Sequence, residues 1–384
     1  MQFICSKYDL QKAISSAISA VPTRSTMPLL EGLLIEANDH ELVITGYNLE
    51  MGITATIPAD VQETGAIVIG ATLLSNVVRS LSDDMISFEV GDDQVAVIQA
   101  GSSEFRLKGL DAENYPKLPL EDPSEAVHLP LDLLSQMIRQ TIFAASQDQQ
   151  RPMFNAVLLN STTDLLEMVA IDGYRLAVRR EEPAEGESFP TLHYLIPSAS
   201  LREAEKLMRA YAPSKRASGD DDDETAQPTI SLYTTKNHLI FEMNGVSLIT
   251  RLMQGEFMKY SQVIPDSSLS ELTVDRAALL SSIERALLMA PSQERRYPVN
   301  LSLKDPETLA LASHTEIGNS YDEVVVAQDG EMFEIDFNPR YFSDALKVID
   351  DEMVRIEFSG ASGPCLIKPI EGDSFVFLIL PLRR

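Results

Sequence analysis

Asp172 is the residue best placed by the sequence for acid–base chemistry. It ends the apolar run Met168–Ile171 and precedes Gly173, so a carboxylate there would sit at the mouth of a strand. A turn residue that accepts hydrogen bonds from its own backbone fits the same spacing and is the commoner role. Other catalytic patterns are missing: the chain has no Walker phosphate loop, no GxGxxG, no HExxH and no GxSxG. The five histidines, His40, His128, His193, His238 and His314, fall at no ligand spacing, and His128 alternates with Val127 and Leu129 like an outward-facing strand residue. Cys5 and Cys365 lie almost at opposite ends and cannot form a disulfide framework or a four-cysteine metal site, which suits a reducing compartment. The acidic run Asp220–Glu224 lacks the alternating carboxylates and following bidentate Glu of an EF-hand loop, so it is expected to be a solvated loop. No catalytic residue, metal or cofactor is therefore expected.

The cations are patterned better than the carboxylates. Arg79, Lys206 and Lys347 each follow a strand-to-helix signal at the same register, about 140° around the helix from the first apolar position. The helices that carry them have apolar positions at i, i+3 and i+7: Leu74, Val77 and Leu81; Leu201, Ala204 and Met208; Phe342, Ala345 and Ile349. Asn338 and Pro339 make a good N-cap and first residue for the last of them. A second strand–helix element also recurs three times. Its stripe is Leu10/Ile14/Ala17/Ile18, then Leu134/Ile138/Thr141/Ile142, then Leu279/Ile283/Ala286/Leu287. Short alternating runs such as Leu42–Thr45, Ile86–Val90, Ile230–Leu232, Val354–Glu357 and Phe375–Ile379 read as strands between these elements.

The chain is therefore a threefold internal repeat of α+β units, each of roughly 125 residues with two helices packed on antiparallel sheets. The boundaries fall at 1–122, 123–268 and 269–384. Arg79 to Lys206 is 127 residues and Lys206 to Lys347 is 141, and the excess of 14 coincides with an acidic insertion at about 217–227.

Lys plus Arg total 31 and Asp plus Glu 58 in 384 residues, a net charge of −27 that excludes an ordinary cationic groove-reading DNA binder. The charge is unevenly spread. Residues 7–19, 72–81, 131–146, 198–216, 275–290 and 338–349, which enclose the expected helices, carry +6 together, leaving −33 for everything else. The N-terminus has no apolar signal region, and the longest apolar run, Phe375–Leu380, is too short to span a bilayer; a cytoplasmic protein without membrane partners is expected.

Several segments together resemble the β sliding clamp family of bacterial replicative polymerases. They are Val169–Ala177 with its Ile171-Asp172-Gly173-Tyr174-Arg175 core, the helix start Asn338–Tyr341, the ending Leu378–Arg383, and the early Arg24–Leu30 and Gly46–Glu50. The resemblance covers essentially the whole chain apart from the acidic insertion. It implies three DNA-clamp domains and a head-to-tail homodimeric ring that encircles duplex DNA, without reading its sequence, and that tethers its partners without catalysing a reaction. The implied partners are the replicative polymerase α subunit, the clamp-loader complex and other proteins bearing a clamp-binding motif. Two alternatives remain at this level: a peptide-binding adaptor that does not encircle DNA, and a carboxylate-dependent hydrolase using Asp172.

By that resemblance Arg24, Arg79, Arg139, Arg202, Lys206, Arg209 and Lys347 face DNA, with Gln149 and Gln150 near the duplex. Ser198-Ala199 stands where many members carry a cation, leaving that contact to Arg202 or Lys206. The partner-peptide pocket would comprise Arg151, Phe154, Ile171, Gly173, Tyr174, Arg175, Leu176, Met258, Val263, Asn338, Tyr341, Leu378, Leu380, Leu382 and Arg383. Met258 and Gln262 replace a common proline and a common arginine, which alters one wall. The dimer seam would set Leu288 and Met289 against the Phe105-Arg106-Leu107 edge strand, with Phe105 and Leu107 as its apolar contacts.

Overall fold

The computed structural model describes residues 1–146, 148, 150–212, 228–289, 297–360 and 362–382. The acidic insertion, Gln149 and Arg383 lie outside the described residues. Six α-helices form where the stripes require: α1 (Lys7–Ala17), α2 (Ala71–Ser80), α3 (Leu131–Thr141), α4 (Ser198–Tyr211), α5 (Arg276–Leu287) and α6 (Pro339–Lys347). Each follows directly on a strand, so the chain turns a corner at every helix start and needs a cap there. Ser6, Asp275 and Asn338 cap α1, α5 and α6 by accepting backbone N–H bonds at 3.4, 2.6 and 3.1 Å. The stripes are buried: Leu10 and Ile14 on α1, Leu134 and Ile138 on α3, Leu279 and Ile283 on α5, and Phe342 and Leu346 on α6. Each such side chain contributes about 1.5–3 kcal/mol relative to exposure.

The chain forms two compact units. The first comprises Met1–Ser135 and Arg202–Leu252, the second Gln136–Leu201 and Met253–Arg384. Three sequence repeats give two units because the strands of the middle repeat are shared out. In unit one, Val246–Thr250 pairs antiparallel with Met51–Ala55, extending the first repeat's sheet to eight strands. In unit two, Arg175–Arg179 pairs antiparallel with Phe375–Ile379, fusing the middle and last repeats into a sheet of twelve strands. A further five-stranded sheet in unit one ends at the edge strand Ser103–Lys108.

Two features were not expected from the sequence. A hairpin of Val299–Asp305 and Thr308–Thr315 adds two strands to the last repeat. The strand Gly318–Gly330 is long enough to serve two partners: Gly318–Val325 pairs with Thr308–Thr315, and Val326–Gly330 pairs with Ser270–Val274. Close approach of helix and sheet needs a glycine at one point. A Cβ on Gly46 would lie 2.0 Å from the carbonyl oxygen of Ala17, the last residue of α1. No helix of the described residues is long and apolar enough to cross a membrane.

Candidate functional sites

In unit two the expected pocket residues form a graded surface on one face of the fused sheet. Alternation along the strands sends Val169 and Ile171, Leu176 and Val178, and Val376 and Leu378 to that face, where they form one buried cluster with Leu158, Leu195 and Leu366. Ile171, Leu176 and Leu378 are therefore its floor, at 6, 1 and 4 % exposure. Phe154, on the 3-10 turn Pro152–Asn155, packs against the floor. Tyr174, Met258, Val263 and Leu380 remain about 40 % exposed and supply an apolar rim. The Leu380 N–H donates to the Tyr174 carbonyl at 2.9 Å, and the Leu382 N–H donates to the Asp336 carbonyl at 2.8 Å, so the C-terminal segment is held beside the rim by its backbone.

Asp172 makes an Asx turn, not a catalytic centre. Its Oδ1 accepts the N–H groups of Tyr174 and Arg175 at 2.9 and 3.1 Å, and its Oδ2 accepts Arg175 Nε at 2.9 Å. Gly173 takes φ +91° at the centre of that turn, where an L side chain would be strained. Among the described residues no group of three or more His, Cys, Asp or Glu is placed to hold a metal ion.

Arg175 and Asn338 are engaged by protein partners. Arg175 alternates away from Leu176, and its side chain is largely enclosed, with Asp172 on one side and Asp344 of α6 at 2.6 Å on the other. Its guanidinium lies 4.7 Å from the Tyr341 ring centroid and 5.6 Å from that of Phe143. The Tyr341 ring is also stacked on Tyr174 at 6.4 Å. Asn338 is 2 % exposed and accepts the Arg340 N–H as the cap of α6. Arg175 thus touches the Tyr341 ring, and the Asn338 carbonyl accepts the Tyr341 N–H at 3.1 Å. Their alternation was legible in the strand and cap patterns; their partners were not.

Sequence reasoning missed a strap. Met253, Phe257, Tyr260 and Ile264 all pack on the same buried cluster and carry Met258 and Val263 across it. The Met253 N–H bonds to the Leu195 carbonyl at 2.9 Å, and Phe257 meets Tyr260 edge-on at 6.5 Å. The apolar spacing of these residues was the available signal.

Most of the expected DNA-facing cations are exposed, Arg139 and Arg202 are partly buried, and four are paired with carboxylates. Lys206 meets Glu203 at 2.7 Å, Arg209 meets Glu205, Lys347 meets Glu284 at 3.0 Å, and Arg139 meets Asp350 at 2.5 Å. Arg24, Arg79 and Gln150 are exposed, and among the described residues neither Arg24 nor Arg79 has a carboxylate within 4 Å. Arg202 is half-buried, and burial holds its pKa below the ordinary guanidinium value. The six helices as observed carry a net +5 in a chain of −27.

At the expected seam, Leu107 is 7 % exposed and part of the core of unit one, whereas Phe105 on the same face is half-buried. Their strand pairs on one side only among the described residues, which leaves its other backbone edge unpaired. Leu288 is 72 % exposed, whereas Met289 is half-buried with its sulfur 3.3 Å from where a Cβ on Gly318 would stand. The Gly318–Val325 half of the long strand pairs on one side only among the described residues, and Tyr321 and Val325 project from it at 59 and 82 % exposure.

Three repeated α+β domains with two helices apiece make this a DNA-clamp fold. The models of the DNA polymerase III beta subunit match in succession: the N-terminal domain over residues 1–119, the central domain over 128–259 and the C-terminal domain over 261–383. The beta sliding clamp of Bacillus subtilis is 32 % identical over 395 residues, covering 100 % of both chains, and that of Synechococcus elongatus is 30 % identical over 388, covering 100 % of this chain and 99 % of the other. The crystal structure of the B. subtilis DNA polymerase sliding clamp superposes with a TM-score of 0.89 at 31 % identity, covering 100 % of this chain and 99 % of that one. The Thermotoga maritima DNA polymerase III beta subunit gives 0.86 at 26 %, with the same coverage. The chain belongs to the DNA polymerase III beta subunit family, the bacterial β sliding clamps.

Proposed function

We propose that two copies of this chain close head to tail into a ring around duplex DNA and act, without catalysis, as the sliding tether of the replicative polymerase. The carrying observation is the charge distribution over the three clamp domains: net-positive helices in a chain of −27. A bore lined by those helices attracts phosphate while the acidic remainder repels DNA elsewhere, so the duplex is held by enclosure and not by sequence. The domains run 1–122, 123–268 and 269–384, and the protein works in the cytoplasm. Arg24, Arg79, Lys206, Arg209, Lys347 and Arg139 face the duplex, with Arg202 contributing through its field and Gln149 and Gln150 near the strand.

The seam pairs the free edge of Ser103–Lys108 from one protomer with the free edge of Gly318–Val325 from its partner, with Leu288 alongside. The graded apolar surface around Ile171, Leu176 and Leu378, completed by Arg151 and Arg383, captures short peptide segments of the polymerase α subunit, the clamp loader and other partners. Loading onto nicked circular DNA followed by linearisation tests the ring. The protein should remain on the circle and run off the linear form. Retention on linear DNA with free ends, or a strict monomer by light scattering at high micromolar concentration, refutes encirclement.

A further inference from the structure

A polar clasp closes one end of the apolar row beneath the strap. Along the neighbouring strands the row runs Ile171 and Leu176, then Val169 and Val178, and the next residues on the same face are Glu167 and Arg180, which are directly opposite each other. Glu167 is 6 % exposed, and its Oε2 accepts Arg180 Nε at 2.9 Å. Its Oε1 accepts the hydroxyl of Tyr260, which stands 93 residues away on the strap. Tyr260 begins the 3-10 turn Tyr260–Val263, so a hydrogen bond that fixes Tyr260 also fixes Val263, and Met258 is bound to the same residue through the Tyr260 N–H at 2.7 Å. Burial, and then the bond to Glu167, push the Tyr260 pKa well above its ordinary value, so the hydroxyl remains a donor at any working pH.

We infer that Glu167, Arg180 and Tyr260 form a positioning clasp that sets the Met258–Val263 wall of the peptide pocket, and so controls how long a bound partner segment stays. This rests on the pocket reading given above. The carboxylate is suited to the task because it is held at both oxygens, one by each partner. A charge-assisted bond in a buried site resists rotation that apolar contacts alone would allow. Losing the clasp leaves the floor intact but loosens one wall. Capture of a peptide should then be little changed while release is faster.

The test is peptide binding by the full-length protein, using a fluorescein-labelled peptide that carries the clamp-binding segment of the cognate polymerase α subunit. Tyr260→Phe should weaken binding about tenfold, mainly through faster dissociation. Glu167→Leu should do the same, and the double variant should be no weaker than either single one, because both remove one device. Glu167→Gln keeps a carbonyl acceptor for the Tyr260 hydroxyl and should retain most of the affinity. Retention on nicked circular DNA should be unchanged in all three single variants. Wild-type affinity in Tyr260→Phe, or full additivity of Tyr260→Phe with Glu167→Leu, overturns the clasp if Val263→Ala still weakens binding. If neither Val263→Ala nor Leu380→Ala weakens binding, the pocket reading itself fails and the clasp falls with it.

Discussion

Replacing Arg175 with methionine should cost about 3 kcal/mol of local stability, at the lower end of the range for breaking a buried pair. The side chains of Arg175 and Asp172 are only 12 and 13 % exposed and meet at 2.9 Å, so removing the cation strands a nearly buried carboxylate. Methionine keeps the apolar stem, which isolates the electrostatic loss from the packing loss. The ring of Tyr341, 4.7 Å from the guanidinium, adds about 0.5–1 kcal/mol of cation–π attraction to that loss. Asp344 is 44 % exposed, and solvent screening reduces its pair with Arg175, despite the 2.6 Å distance, to under about 1 kcal/mol. Asp172→Asn falls between, because asparagine keeps the Oδ1 that accepts the Tyr174 and Arg175 N–H groups, as Asn48 does in unit one. The expected order of cost is R175M, then D172N, then D344N. Native-state hydrogen exchange over the turn and the start of α6 reads these local opening energies without assuming that a chain of several domains unfolds in one step. If R175M costs under about 1 kcal/mol, or D344N costs as much as D172N, the Arg175–Asp172 pair is not what holds this turn.

Freeing the helix cations proposed to face DNA should strengthen DNA binding. Glu284→Gln releases Lys347 and Glu203→Gln releases Lys206, and each should steepen the slope of log affinity against log salt by about 0.9; unchanged slopes would place those lysines away from phosphate. Leu49, with φ +73° and half its side chain exposed, should tolerate glycine with no loss of melting temperature, whereas Gly173→Ala should lose about 1 kcal/mol. A lower melting temperature in Leu49→Gly would mean that its side chain carries more packing than its exposure suggests. Burial, and then Asp9, push the Cys5 thiol from its ordinary 9.0 up to about 12, and burial raises Cys365 as well. Neither thiol should react with a disulfide reagent at mild alkaline pH until the protein unfolds. Because these pKa values are raised by folding, the associated stability is complete below about 9 and declines as pH rises towards the folded value. A fast-reacting native thiol would contradict that burial.

What was legible in the sequence was whatever depends on local periodicity. The helix stripes, the Asn338 cap and the register of Arg79, Lys206 and Lys347 follow from a 3.6-residue repeat and from side-chain chemistry within a few positions. The Arg175 cage and the Tyr260 clasp are different. They join residues 169 and 93 positions apart, and no local pattern marks a guanidinium as buried or a hydroxyl as anchored. The pairing of Lys206 and Arg209 with Glu203 and Glu205 lies between these cases. Its i,i+3 and i,i+4 spacing was visible, but a helix counted by net charge conceals it. The edge strand shows the same divide. Its alternation, which sets Phe105 and Leu107 on the more buried face, was visible, but which backbone edge stays unpaired among the described residues was not.

The repeat also shows one backbone frame filled differently at two junctions. Unit one contains the same backbone frame as the apolar surface around Tyr174 and Leu380. Asn48 accepts the Glu50 and Met51 N–H groups at 3.0 and 2.7 Å, Leu49 takes the left-handed turn position of Gly173, and the Arg251 N–H donates to the Glu50 carbonyl at 2.9 Å, as that of Leu380 does to Tyr174. The contents are reversed. Gly52 pairs with Ile249 where Leu176 pairs with Leu378, and a Cβ on Gly52 would stand 2.5 Å from Leu118 Cδ2. The missing side chain thus admits Leu118 from the same unit, and Tyr115, 6 % exposed, fills the cluster beside it. At the rim Glu50 and Arg251 stand where Tyr174 and Leu380 stand in unit two, charged groups that a short apolar segment would have to desolvate. A duplicated backbone is therefore packed with side chains of its own unit at one junction and rimmed by apolar residues about 40 % exposed at the other. What such a surface can hold follows from which residues fill the frame, not from the frame.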